Sequence, residues 1–578
     1  MDFEQFYQDK YPAGIPREID LNKYKNMVDV FEQAVQKFAD KPAFTAVGVT
    51  LTYRDLDTQS RNFAAWLQNK TDLKPGDRIA IQMPNILQFP IAMYGALRAG
   101  MIVVNTNPLY TEREMLHQFN DSGAKALVCM DVFARSVQNI RARTGLQHVI
   151  VTRLADMLPA PKRILINAAA KYIKKMVPAY SLPDAVRFRT ALSKGAACPR
   201  FSENYMRNPD DTIILQYTGG TTGVAKGAEL TNRNLVANML QSGAILRQVD
   251  PATGERIKPN VGSKVVAPLP LYHIYSFTTH LMALFEQGDQ SILIANPRDT
   301  DMFVRMIKPH QLTGFIGLNT LFVSLLNHPE FKNCDFSKLC LTLSGGTALV
   351  DNTAKRWREL TGCGISEAYG LTECSPAVCM NPAGGLERDG TVGQAVPGTA
   401  LKCIDDQGQE VAIGERGELC VKGPQVMKGY WKRPDATAES FTEDGQWLRT
   451  GDVAVIDEDG YVKIVDRIKD MILVSGFNVY PNEIEDVVAK HPAVENCAVI
   501  GVNDEKTGEA VKLFIVASDA NVTVDDIKLH CRENLTAYKM PRYIEFRTEL
   551  PMSPVGKILR RELKDEEAAK QTEQASVA

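Results

Sequence analysis

The sequence predicts an α/β protein: a large N-terminal domain of layered, mostly parallel sheets with helices, followed by a small α+β C-terminal domain. Three observations carry that expectation. Short apolar strands alternate with helical stretches between residues 77 and 129. A separate set of short helices and strands follows residue 470. The 578-residue length exceeds what one core supports, so at least two domains are expected.

In chain order, RIAIQM (78–83) reads as a strand and NILQFPIAMYGALRAG (85–100) as a helical stretch despite Pro90. MIVV (101–104) is a second strand, and Thr111 with Glu114 forms a capping box opening the helix before the strand KALVC (125–129). Strands alternating with helices imply a parallel sheet covered on both faces, with ligands at the carboxyl ends of the strands. Residues 162–176, KRILINAAAKYIKKM, interrupt the rhythm: Leu165, Ala169, Tyr172 and Met176 recur at helical spacing among Lys162, Arg163, Lys171, Lys174 and Lys175. Two readings stand for that segment, a membrane-surface helix and a solvated helix packed on the domain.

The stretch YTGGTTGVAKG (217–227) follows the apolar run Ile213–Leu215 and holds four glycines, three threonines and Lys226. Glycines admit positive φ and close approach of backbone N–H groups to an anion, hydroxyls add donors, and the lysine adds a charge. A Walker A loop is excluded, because Lys226 lies between Ala225 and Gly227. Thr231 is placed to cap the next helix. His273 lies in the apolar run APLPLYHIYSFTTH, where a histidine is ordinarily a satisfied core residue. LTGFIGLNTLFVSLL (312–326) reads as buried core or as the wall of a ligand pocket, with Gly314 and Gly317 leaving room. In RTGDVAV, Asp452 directly follows a glycine turn, the exposed loop-edge position suited to a carboxylate that accepts from two sugar hydroxyls. Beyond 470, EIEDVVAK is helical, CAVIGV, AVKLFIVAS and YIEFR are strands, and Thr523 opens the helix DDIKLHCREN.

Composition excludes several classes. A net charge of −3 with 23% charged residues is not that of a nucleic-acid binder. Eleven scattered cysteines without C-x-x-C pairs argue for free thiols in a reducing compartment. MDFEQFYQDK has no apolar core, so no signal peptide is expected. No apolar run reaches the roughly 18 residues of a membrane span, since Arg98 interrupts the best one. The expectation is a cytoplasmic protein.

TGGTTGVAKG resembles the nucleotide loop of the adenylate-forming enzymes, the superfamily of acyl-CoA synthetases, firefly luciferase and peptide-synthetase adenylation domains. PLYH, SGGTAL (344–349), YGLTE (369–373), RTGD, SGFNVYP (475–481) and LPMSPVGKILRREL (550–563) extend the resemblance along nearly the whole chain, most closely toward bacterial long-chain fatty acid CoA ligases. The resemblance implies that Thr218, Gly219, Gly220, Thr221, Thr222, Gly223 and Lys226 cradle the phosphates of ATP. It places Gly345 and Gly346 along the adenine edge and Tyr369 as the ring on which adenine stacks. Thr372 would meet the α-phosphate, and Glu373 with Thr221 would hold Mg2+. Asp452 would contact the ribose, Arg467 the ribose or a phosphate, and Lys557 would be the catalytic lysine. His273 would sit near the carboxylate, Phe277 would gate an acyl tunnel that Gly317 lines, and Gly476 would face the thioester-forming state.

The resemblance also divides the chain into domains 1–468 and 469–578, with Lys469 at the hinge of a mobile lid. The reaction implied joins a fatty acid to CoA through an acyl-adenylate, with ATP, Mg2+ and CoA as cofactors or co-substrates. Peripheral contact with the inner face of a membrane and a homodimer accompany that expectation. The alternatives are a ligase for medium-chain or other carboxylic acids, and a non-catalytic membrane-associated fatty-acid-binding protein.

Overall fold

The structure, a computed structural model, describes all residues except 1–5, 7–9, 12–13, 200–201, 203–205, 219–224, 247–261, 384–386, 505, 520, 554–555 and 578; side chains are described up to residue 570. The α/β rhythm builds an eight-stranded sheet whose strands Thr212–Thr218, Ile102–Asn105, Arg78–Gln82, Ala124–Met130, His148–Thr152 and Val186–Arg187 run parallel in that order. Strands Lys226–Thr231 and Gly429–Tyr430 extend it antiparallel on one side. A nine-stranded sheet has six parallel strands at its centre, including Lys264–Ala267, Gly314–Gly317, Leu341–Gly345 and Ser366–Gly370.

One hydrophobic core joins the two sheets. Ile79 and Val103 of the first and Val265 and Phe315 of the second belong to it, together with Phe63 and Phe89 from the helices between. Burial on both faces requires strands that are apolar throughout, as Ile79, Ala80 and Ile81 are. The helix Gln88–Arg98 is buried along its whole length. Pro90 lies in its first turn, where backbone N–H groups lack an intrahelical partner anyway. Arg98 does interrupt an apolar run, but it is inside: only 1% exposed, its Nη1 donates to Asp57 Oδ1 at 2.8 Å and Ser60 Oγ at 3.0 Å. A buried charge is tolerated when paired and hydrogen-bonded in this way.

A four-stranded antiparallel sheet, Ala400–Ile404, Arg416–Lys422, Leu448–Ile456 and Val462–Arg467, follows. The small C-terminal domain has its own five-stranded sheet, with Ile484 of the helix Pro481–Val488 and Ile527 of the helix Val524–Asn534 in its core. Its helix Val524–Asn534 opens on a capping box of Thr523 with Asp526. The eleven cysteines are free thiols. Among the described residues no helix is long and apolar enough to cross a membrane.

The capping box at Thr111 is formed: Thr111 Oγ1 accepts from Glu114 N, and Glu114 Oε2 accepts from Thr111 N at 2.7 Å. Thr111→Ala is expected to cost about 1 kcal/mol of local stability, measured as faster amide hydrogen exchange in the first turn of Glu112–Ser122. Unchanged exchange there would show that tertiary packing alone holds the turn.

Candidate active site

A cleft of about 1760 Å³ opens where the carboxyl ends of strands from both large sheets meet the small domain. Asn105, Gln216 and Thr218 end strands of the first sheet, Tyr369 and Gly370 end a strand of the second, and Lys557 and Arg560 come from the C-terminal domain. This is where ligands bind on open parallel sheets.

Electrostatics in the cleft centre on Lys557. Burial, and to a smaller degree the charge of Arg467, pull its ammonium down to about 8, against the opposing pull of Asp452 and Glu373. Its loop folds on itself: Ser553 Oγ accepts from Lys557 N at 3.0 Å, and Ser553 N donates to Lys557 O at 2.7 Å. Gly556, at φ 77°, lets that loop approach the large domain; a Cβ there would lie 2.9 Å from Thr320 Oγ1 and 3.0 Å from Leu318 Cδ1. The side chain reaches Gly346, whose added Cβ would meet Lys557 Cε at 3.4 Å. Behind it, Arg560 Nη2 donates to Glu485 Oε2 at 2.6 Å and to Asn482 Oδ1 at 2.7 Å.

The carboxylates around the lysine are held by neighbours. Asp452 and Arg467 face each other across antiparallel strands, with Arg467 Nε 3.2 Å from Asp452 Oδ1. Tyr369 donates its hydroxyl to Asp452 Oδ2 at 2.5 Å. Tyr430 donates to Glu373 Oε1 at 2.7 Å, and Lys226 lies over the Tyr430 ring at 4.9 Å. Thr372 and Glu373 occupy the short turn Thr372–Cys374, and its approach needs Gly370, where a Cβ would strike Pro376 O at 2.2 Å. His273 Nδ1 accepts from Tyr275 N at 3.3 Å, which leaves the ring proton on Nε2. Burial, then the Lys557 charge, lower its pKa to about 3, so the ring is a neutral donor at ordinary pH.

The sequence profile of the AMP-binding enzyme family matches residues 31–431, and that of the AMP-binding enzyme C-terminal domain matches 483–557. The chain belongs to the AMP-binding enzyme family. It is 50% identical to the long-chain-fatty-acid CoA ligase of Escherichia coli O157:H7 over 98% of this chain and 99% of that one. It is 35% identical to the Bacillus subtilis strain 168 protein of the same name, over 96% and 97%. ATP-bound MatB from Rhodopseudomonas palustris superposes with a TM-score of 0.78 at 27% identity, covering 94% of this chain and 99% of that one. The anthranilate CoA ligase AuaEII in complex with anthranoyl-AMP shares the fold, with a TM-score of 0.82 at 24% identity over 95% and 99%.

In this AMP-binding enzyme Thr218, Lys226, His273, Gly346, Tyr369, Thr372, Glu373, Asp452, Arg467, Lys469 and Lys557 all line the one cleft. Gly345 lies just behind it, and its added Cβ would meet Ala368 O at 3.1 Å and the Tyr275 ring at 3.2 Å. Gly219, Gly220, Thr221, Thr222 and Gly223 lie outside the described residues. Gly476 is exposed at φ 84° in the turn after Ile472–Val474 and does not line the cleft. The exposed loop-edge position expected for Asp452 is corrected: it lies within the strand Leu448–Ile456 and is 5% exposed. The cross-strand partner Arg467 and the Tyr369 hydroxyl compensate that burial.

Two expected tunnel residues stand apart. Phe277 is fully buried at the start of the π-helical stretch Phe277–Ala283, and Gly317 packs against a ring: its Cβ would meet Phe322 Cζ at 2.8 Å. Neither lines the cleft; Asn319, Thr320 and Val323 of the next helix do. Sequence reasoning also missed Tyr430, Arg560 and Glu367. Burial lifts the Glu367 carboxyl to about 8 despite a bond from Leu349 N at 3.4 Å. The glutamate in SEAYG, an acid inside a strand that ends at the site, was its available signal.

Gly317→Ala is expected to destabilise by about 1–3 kcal/mol through overpacking, seen as a lower Tm. An unchanged Tm would mean that open space, not the Phe322 ring, faces Gly317.

Proposed function

We propose that the protein is a long-chain fatty acid CoA ligase. A fatty carboxylate attacks the α-phosphate of ATP, releasing pyrophosphate, and the CoA thiol then displaces AMP from the acyl-adenylate. The observation that carries this reading is a desolvated lysine held among Asp452, Arg467 and Glu373 at the carboxyl ends of two parallel sheets. The 50% identity to the Escherichia coli ligase over almost the full length of both chains supports the acyl class.

The barrier to the first step is crowding of negative charge between carboxylate and phosphates. Lys557 lowers it by presenting an ammonium that water does not screen. Neutral His273 donates through Nε2 toward the carboxylate, and Thr372 offers its hydroxyl to the α-phosphate. Asp452, pinned by Tyr369 and Arg467, is positioned to accept from the ribose hydroxyls. The Gly219–Gly223 loop belongs to the phosphate cradle with Thr218 and Lys226.

The donor set fits Mg2+. Glu373 keeps one oxygen after Tyr430 takes the other, and Mg2+ is bound through one or two carboxylates plus substrate phosphates without needing a cluster of protein ligands. When bound, that ion offsets phosphate charge. The hydroxyl of Thr372 is an oxygen donor in the same turn, and Thr221 is the second residue proposed for the ion.

The second step needs Lys557 to withdraw and CoA to enter. Lys469, in the short turn Ile468–Asp470 between the four-stranded sheet and the first strand of the C-terminal domain, is the proposed hinge of domain 469–578. The exposed loop around Gly476 is then free to turn toward the cleft. Reversible contact with the inner face of a membrane, where fatty acids partition, belongs to the same reading.

AMP release measured with ATP, Mg2+ and CoA across acids from acetate to oleate length tests the proposal. The rate is expected to climb toward long chains; release only with short or aromatic acids would overturn the substrate class. Lys557→Ala is expected to abolish pyrophosphate release yet leave thioester formation from supplied acyl-adenylate largely intact, and equal loss of both would refute its role.

The lowered Lys557 pKa fixes a direction with pH. Below about 8 the free enzyme carries the ammonium and above it the neutral amine, so kcat/KM for adenylation should fall as pH rises through that value. Lys557→Arg, charged throughout, should flatten that limb. A profile flat to pH 10 in the parent enzyme would sink the assignment.

A further inference from the structure

A second cavity, of about 760 Å³, shares no lining residue with the cleft. It lies where three parallel strands of the eight-stranded sheet end: Asp131 follows Ala124–Met130, Arg153 follows His148–Thr152, and Arg187 closes Val186–Arg187. Carboxyl ends of parallel strands are where such sheets bind ligands, and the reaction proposed above makes no use of these. Arg153, Arg163, Lys171, Arg187, Arg189 and Lys194 line the cavity against two acids, Asp131 and Asp156.

Both acids are engaged. Asp131 faces Arg153 at 3.8 Å, and Asp156 accepts from Arg153 N at 2.9 Å and from Asn167 Nδ2 at 3.3 Å. Among the described residues no carboxylate lies within ion-pair distance of Arg163, Lys171, Arg187, Arg189 or Lys194. The cavity therefore carries surplus positive charge.

Its outer wall is the segment 160–173, a helix Ala160–Ala168 continuing into a wider turn Ala169–Ile173. Asn167 fastens the polar side of that segment to the domain, accepting from Ala155 N at 3.0 Å and donating to Asp156. The other side is apolar and bare: Ile164, Leu165, Tyr172 and Ile173 are 63%, 70%, 71% and 76% exposed. A helix face that packs on its domain buries its apolar side chains, and this one does not. Ile164 and Tyr172 also line the cavity. A ligand seated on the cations must therefore touch hydrocarbon at the rim, which a free anion does not use and an anionic amphiphile does.

We propose that this surface docks on an acidic phospholipid bilayer, the cavity taking a headgroup phosphate while Leu165, Tyr172 and Ile173 enter the acyl boundary. The charge complementarity and the apolar rim select that occupant together. The inference rests on the membrane contact in the proposed function and adds its place and its headgroup chemistry.

The test is co-sedimentation of the full chain with vesicles of phosphatidylcholine alone or mixed with phosphatidylglycerol, alongside AMP release from fatty acid in lipid-free buffer. Binding is expected to require phosphatidylglycerol and to be lost in high salt. Each basic residue near an anionic surface contributes roughly fivefold to binding, so Lys171→Glu with Arg189→Glu should weaken it by well over tenfold. Leu165→Ser with Ile173→Ser, both at exposed positions, should weaken it independently. AMP release should be unchanged in every variant, so a failed ligase reading and a failed docking reading give different results. Equal binding to both vesicle types, or phosphatidylglycerol binding indifferent to both double variants, would overturn the proposal. A lipid-free dimer that Leu165→Ser with Ile173→Ser dissociates would assign the face to a second copy of this chain and overturn it equally.

Discussion

An ammonium removed from water has to be compensated, and the compensation of Lys557 constrains the arrangement of both domains. Its loop belongs to the C-terminal domain, yet the carboxylates that offset its charge belong to the large domain, Asp452 in the strand Leu448–Ile456 and Glu373 in the turn Thr372–Cys374. Neither carboxylate can shift without breaking a bond to a tyrosine, Tyr369 for one and Tyr430 for the other. The loop can come this close only because Gly556 lets its backbone rest on Thr320 and Leu318. The anchoring of Arg560 by Glu485 and Asn482 ties the same loop to the helix that begins just after the short antiparallel turn of the small domain. The interdomain geometry and the buried charge thus require each other.

That charge sets the protonation of its surroundings. His273 is held neutral by burial and by the lysine, which makes it a hydrogen-bond donor and avoids a second buried positive charge. Glu367, on the strand leading to Tyr369, is pushed the other way, to about 8, so that near neutral pH it holds a proton and adds little negative charge where phosphates must enter. Environments that move neighbouring groups in opposite directions prepare a site for anions without a large net charge.

The sequence shows clearly whatever rests on local pattern. The strand–helix alternation over 77–129, the capping box at Thr111 and the helix start at Thr523 rest on local interactions, and they appear as read. Thr218, Tyr369 and their motif neighbours gather in one cleft because they sit at the carboxyl ends of parallel strands, which converge there. What the sequence hides is depth. Asp452 reads as loop edge because its burial depends on Arg467, fifteen positions on, and on Tyr369, which only the fold brings near. Gly317 reads as room for a chain because a glycine does not declare what occupies its empty side, and here it is Phe322. Tyr430 and Arg560 went unnoticed since each acts through another residue, not through a motif of its own.

The topology also relates the two cavities. Strands that run parallel end on the same edge of their sheet, so the cleft, built on the ends of Ile102–Asn105 and Thr212–Thr218, and the basic cavity, built on the ends of Ala124–Met130, His148–Thr152 and Val186–Arg187, open along one margin. Only the strand Arg78–Gln82 intervenes between Ile102–Asn105 and Ala124–Met130, which at roughly 4.8 Å per strand sets the two strand ends about 10 Å apart. A bilayer held at the second cavity would therefore lie beside the margin on which the cleft opens. A substrate dissolved in that bilayer would then have a short path to Lys557, and the parallel sheet that creates one crevice for chemistry would supply the second for position.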